Sequence, residues 1–180
     1  LRPLATLLPM DLLDRLLGHD AWTTRLLLER CSELGDASLD AEFDIGRRRL
    51  RETLGHIVRN TDVWSALMAA GLEGNVEPLR CRAMDDAMRA NPSIADLIAL
   101  HAEASDRLAR VARAVAARGA WDETWPDTLD DPPTRKTYGG AIAHVITHSM
   151  HHRAQVLHMM RRLGMDDLPE GDVITWENRR

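Results

Sequence analysis

Residues 141–164, AIAHVITHSMHHRAQVLHMMRRLG, carry five of the chain's eight histidines within a span of fifteen residues. No proline interrupts the stretch, and its only glycine is the last residue, Gly164. Apolar and small residues recur at three- and four-residue steps (Ile142, Val145, Ile146, Ser149, Met150, Val156, Leu157, Met160), the period of an amphipathic helix. Residues four apart on such a helix lie nearly one above the other. His144, His148 and His152 therefore form one stripe, and His151 and His158 fall on a neighbouring one. Two imidazoles at i and i+4 can converge their ring nitrogens on one point, a common way for a helix to hold a first-row metal ion. A lone helical histidine is usually a solvated surface group or a satisfied core residue. Five on one helix point instead to a metal site.

A third ligand must come from another element, so the elements that bring histidines together matter next. The apolar pattern predicts a first helix over 11–34, capped by Asp11 and ended by Gly35. Its pair His19 and Trp22 reads as a surface histidine beside a core tryptophan. A connector over 35–46 follows, with Phe43 and Ile45 packing back. A second helix is expected over 47–70, closed by Gly71 and containing His56, with Glu52 four residues before it and Asn60 four after. A long link over 71–91 allows a short helical piece over 82–89. A third helix starts at Asn91-Pro92-Ser93, with Asp96 at capping-box spacing from Ser93, and runs through His101 to Gly119. Residues 120–138 hold Pro126, Pro132 and Pro133 and read as a turn-rich loop that Trp121 and Trp125 tether near the histidines. The histidine helix starts near Gly139 or Gly140. A tail with Val173, Ile174 and Trp176 docks on the body. Four long helices and hardly a strand-like run give an all-α class, a four-helix bundle. At a rise of ~1.5 Å per residue, His56 and His148 each lie ~14 Å into their helices, near mid-height. His101 lies at a similar depth, so spacing alone leaves both His56 and His101 as partners.

The bulk numbers exclude other classes. At 180 residues the chain fits one domain, 1–180, with a full core. A net charge of -5 argues against a nucleic-acid binder. Lysine occurs once, at Lys136, against 22 arginines, a bias across the whole chain that cautions against reading single arginines as phosphate clamps. Cys31 and Cys81 form no CxxC pair and no zinc pattern. No apolar run reaches the ~18 residues of a membrane span, and the opening LRPLATLLPM lacks the apolar centre of a secretory signal. The expectation is a cytoplasmic protein with neither membrane nor nucleic-acid partner. HExxH, paired ExxH, CxxCH, P-loop, GxGxxG and GxSxG motifs are all missing. A bundle that binds one metal through histidines is left, and three neutral imidazoles plus water form a known catalytic arrangement.

Thr147-His148-Ser149-Met150-His151-His152-Arg153-Ala154-Gln155 resembles the helix-4 signature of the DinB-like (YfiT-like) metalloenzyme family, close to NHxxHHRGQ. The segment LGHIVRNTDVW (54–64) looks like the family's helix-2 histidine segment, and GHDAWTTRLLL (18–28) like its helix 1, so the resemblance covers nearly the whole chain. Thr147 and Ala154 depart from the family's Asn and Gly, away from the ligand positions.

The resemblance implies metal ligands at His56, His148 and His152, a bundle of up-down-down-up order, and a homodimer. Glu52, His144 and Gln155 become candidates for orienting ligands or bound water. Family members of known activity are transferases and isomerases that use bacillithiol, mycothiol or glutathione. The resemblance thus implies a divalent metal, zinc or nickel ahead of iron or manganese, acting on a small-molecule substrate with a low-molecular-weight thiol. Hydrolysis by metal-activated water is a second enzymatic option. A non-catalytic metal- or ligand-binding stress protein, or a bundle whose metal only staples helices, are the alternatives.

Overall fold

The structure is a computed structural model and describes residues 10–75, 91–169 and 171–179. It is mostly helical. In chain order the elements are α1 (Leu12–Cys31), α2 (Asp36–Leu39), α3 (Leu50–Leu72), α4 (Ile94–Arg118), β1 (Thr124–Asp127), β2 (Thr134–Thr137), α5 (Tyr138–Arg162) and α6 (Val173–Glu177). The short helical piece expected over 82–89 lies outside the described residues.

The caps explain the boundaries, and several differ from expectation. The Asp11 side chain accepts the Asp14 N–H at 2.8 Å and starts α1 as predicted. That helix stops at Ser32, not Gly35, because the Ser32 hydroxyl turns back onto Glu29 O and Leu34 N–H closes a turn on Cys31 O. Gly35 instead precedes α2 as its N-cap. The second long helix begins at Leu50 rather than at 47. Residues 45–48 are held in a turn, with Arg48 N–H on Ile45 O and Phe43 N–H on Arg48 O, and Arg48 itself sits at φ 70°. That left-handed backbone ends any helical run. At the far end α3 runs past Gly71 to Leu72, and Gly74 at φ 72° closes it. Ser93 caps α4 at the predicted place by accepting the Asp96 N–H, while its hydroxyl, rather than its backbone N–H as in a full capping box, donates to the Asp96 carboxylate; Gly119 at φ 64° ends the helix.

The turn-rich loop is a correction. Residues 124–127 and 134–137 pair as a two-stranded antiparallel hairpin, Trp125 opposite Lys136 and Pro126 opposite Arg135. Strands of four residues leave no readable alternation, and a proline is tolerated because each strand has a free edge. The tail docks as expected: Trp176 is buried against Gly18, where a Cβ would lie 2.6 Å from the indole.

Two apolar clusters form the core. One gathers Leu27 and Leu28 of α1, Leu54 and Ile57 of α3, Leu97 and Leu100 of α4, and Val156 and Met160 of α5. The other gathers Leu17, Leu67 and Met68, Leu108 to Val115, and Tyr138 to Val145 of the same four helices, with Trp125 of the hairpin. Along α1 and α5 the chain passes from the second cluster to the first; along α3 and α4 it passes the other way.

Between the clusters lies a layer of buried polar groups: His19, Asp20, Thr23 and Thr24 on α1, Thr61, Asp62 and Ser65 on α3, His101 on α4, and Ser149, His152 and Arg153 on α5. The reading of His19 as a surface group is therefore reversed. Its Nε2 lies 2.6 Å from Gly171 O, while Trp22 is only half-buried and carries Arg179 over its ring. Met150, placed on the apolar stripe, is 58% exposed. Among the described residues no helix is long and apolar enough to cross a membrane.

Candidate metal centre

Three of the histidines meet beside the polar layer. His148 and His152 stand one turn apart on α5, and His56, the seventh residue of α3, reaches across to them. Their candidate ligand nitrogens all lie within 4.8 Å of one another, and His56 Nε2 is 3.1 Å from His148 Nε2. Two nitrogens bound at ~2.1 Å to one tetrahedral ion stand ~3.4 Å apart, so the closest pair already has nearly that spacing. The ring centroids are 4.5 to 4.8 Å apart.

The donor set fits a borderline divalent cation: three imidazoles, each better kept neutral than charged at this place. Burial is the main reason, pushing His56 and His148 down to about 4 and lowering His152 as well. The charge of Arg47 pushes all three the same way, and Arg59 adds to it at His56. His152 Nδ1 lies 2.8 Å from Gln155 Oε1, so the ring donates Nδ1–H to the amide oxygen and turns its Nε2 towards the other two. The Gln155 amide nitrogen in turn donates to His151 Nε2 at 2.9 Å. His148 Nδ1 is buried and has no hydrogen-bond partner. That atom is consistent with a ring whose working nitrogen is Nε2.

Sequence and structure differ on the surrounding residues. Gln155 touches a candidate ligand, as expected of an orienting group. Glu52 is exposed and its carboxylate faces Arg49 at 3.7 Å; no contact joins it to the histidines. His144 is exposed and lies between Trp64 and His148, with centroids 5.1 Å from each. His101 is buried on α4 beside Ser105, with its Nε2 3.1 Å from that hydroxyl, and takes no place in the cluster. The hairpin does approach the histidine row, because Trp125 packs edge-on against Trp64 at 5.9 Å.

Gly46 was not singled out from sequence. It stands at φ 54° with its Cα against Gln155, and a Cβ there would lie 2.1 Å from Gln155 Oε1. Any side chain would displace the amide that holds His152. A glycine just ahead of an amphipathic helix is the available signal, but it is the signal of any turn.

The model of the DinB family matches residues 9–172. No curated protein matches the chain.

Proposed function

The chain belongs to the DinB family, and on that premise we propose that it binds a divalent metal ion through His56, His148 and His152 and acts with it on a small molecule. The carrying observation is the convergence of three imidazoles from two helices, with no cysteine or carboxylate among them. Thiol-dependent transfer or isomerisation is the first reaction class, and hydrolysis the second. When bound, a divalent ion would favour the deprotonated form of a thiol or water at its open position near neutral pH. The chain's own residues do the rest. Gln155 fixes the tautomer of His152, Gly46 leaves room for that amide, and burial keeps the imidazoles unprotonated. A structural staple closes its shell with four protein ligands. Among the described residues the group stops at three, which favours an open position.

The fold proposed with this is a single four-helix bundle of up-down-down-up order, forming a homodimer. The order is supported by the opposite sense in which α1 and α5, against α3 and α4, traverse the two core clusters.

Cobalt substitution tests the open position. Cys31 is fully buried, and burial pushes its thiol up to about 12, so it is a poor ligand donor. Cobalt-loaded protein titrated with 2-mercaptoethanol should develop sulfur-to-metal charge-transfer absorption, and the Cys31→Ala, Cys81→Ser double variant should respond alike. A spectrum unchanged at saturating thiol would favour the non-catalytic metal-binding alternative.

Acid should release the metal late. Ligand imidazoles must be neutral, and protonation competes only near the folded-state pKa. For His56 and His148 that is about 4, below the ordinary 6.5, so metal should be retained at pH 5.5 and lost as pH falls through ~4. The metal-free fold should also weaken as pH drops from 6.5 towards 4, because the unfolded chain takes up these protons first. Metal content after dialysis across this range checks the first statement, and complete loss by pH 6 would contradict it.

A further inference from the structure

Three neutral imidazoles leave the full double charge of a divalent ion uncompensated. Besides the neighbouring imidazoles, the side chains whose charge acts on them are Arg47 and, at His56, Arg59, both cationic. No carboxylate among the described residues does so. Electrostatics at such a place favours an anionic ligand.

The side chains of Arg47 and Arg59 also share a pocket of about 310 Å³, together with Arg49, Arg51, Asp40 and Glu52. Most of that charge is already matched. Arg51 is buried and held by Asp36, Asp40 and the Pro92 carbonyl. Arg49 faces Glu42 at 2.9 Å and Glu52 at 3.7 Å. Arg47 is different: it is exposed and makes no ion pair or side-chain hydrogen bond among the described residues. Its position is not that of a stray surface arginine. The preceding residue, Gly46, packs on Gln155, which holds His152, and Arg48 on its other side is pinned in a left-handed turn. The 45–48 turn thus holds Arg47 at the wall of that pocket, next in the chain to the glycine that backs the Gln155–His152 hydrogen bond.

We propose that Arg47 binds a carboxylate or phosphate group of the small molecule whose other end reaches His56, His148 and His152. The guanidinium fork suits either oxyanion, by paired charge-assisted hydrogen bonds. This rests on the metal reading for the other end of the molecule, but not for the anion itself.

The test compares two thiols of equal length on cobalt-loaded protein, 3-mercaptopropionate and 3-mercapto-1-propanol, followed by charge-transfer absorption at low ionic strength. One charged hydrogen-bonded contact corresponds to about a tenfold preference for the carboxylate. Arg47→Gln should shrink that preference below about twofold while leaving cobalt stoichiometry and the affinity for the alcohol unchanged. Equal binding of the two thiols by the unaltered protein, or an undiminished preference in Arg47→Gln, overturns the proposal. If the protein takes up no cobalt, or neither thiol changes the spectrum, the metal or thiol reading has failed. Inorganic phosphate titrated onto the metal-free protein then decides the arginine site separately. A dissociation constant raised about fivefold or more by Arg47→Gln supports it, and no binding or equal constants overturn it.

Discussion

His56→Ala, His148→Ala and His152→Ala should each lose most bound metal, while His158→Ala and His101→Ala should keep full stoichiometry. The first three remove one of the three nitrogens that converge within 4.8 Å among the described residues, a group to which neither His144 nor His151, though both lie beside it, belongs. Loss of an outer hydrogen-bonding partner of a metal ligand typically costs about 10–100-fold in affinity. Loss of a ligand should exceed that, and Gln155→Ala, which frees His152 to rotate, should fall within it. His158 is exposed on α5, and His101 is engaged with Ser105 on α4. The measurement is metal per chain by elemental analysis of protein purified without an affinity tag. Full occupancy in both His56→Ala and His148→Ala would remove the assignment.

Why these three residues and not their neighbours was only partly legible in the sequence. The i, i+4 step made His148 and His152 a pair, because helical geometry alone puts them on one stripe. It offered His144 on equal terms, and in the structure that ring packs against Trp64 and stays outside the converging group. For the partner, depth along the helix could not choose between His56 and His101. The estimate of mid-height was itself loose, since the turn at Arg48 delays the start of α3 and leaves His56 near its first third. The resemblance chose His56, and the observed convergence agrees.

The long helices were legible because their caps are local: Ser93 with Asp96, Asp11 before α1, Gly119 and Gly164 after α4 and α5. The hairpin was not, because two strands of four residues carry too little pattern. The polar layer was also unreadable. Asp20, Thr24 and Arg153 are residue types expected in water, and only a partner on another helix makes their burial tolerable. Glu52 stands at the right helical step before His56, yet its exposed carboxylate faces Arg49 at 3.7 Å, a neighbour the spacing to His56 did not bring into view.

Arg153→Ala should destabilise the metal-free fold by about 3–5 kcal/mol, the usual consequence of removing one member of a buried ion pair. Arg153 stands inside the histidine signature, yet its side chain leaves the histidine stripe for another face of α5 and meets α1. There its Nη1 contacts Asp20 Oδ1 and lies 3.0 Å from Thr24 Oγ1; both Arg153 and Asp20 are more than nine-tenths buried. Without the guanidinium, the buried Asp20 carboxyl, which burial already pushes up, loses its main countercharge, and Thr24 loses its partner too. For a chain of this length, the loss corresponds to a fall in Tm of about 6–20 °C. Replacing both partners together by apolar residues, Asp20→Leu with Arg153→Met, should recover much of the deficit, since no orphaned charge then remains. Thermal denaturation of Arg153→Ala, of the single variants Asp20→Leu and Arg153→Met, and of their double variant, all metal-free, separates the cases. A single variant within about 1 kcal/mol of the unaltered protein would mean that the pair does not hold α1 to α5. A double variant as unstable as the sum of the singles would mean that side-chain packing, and not the buried charge, carries the effect.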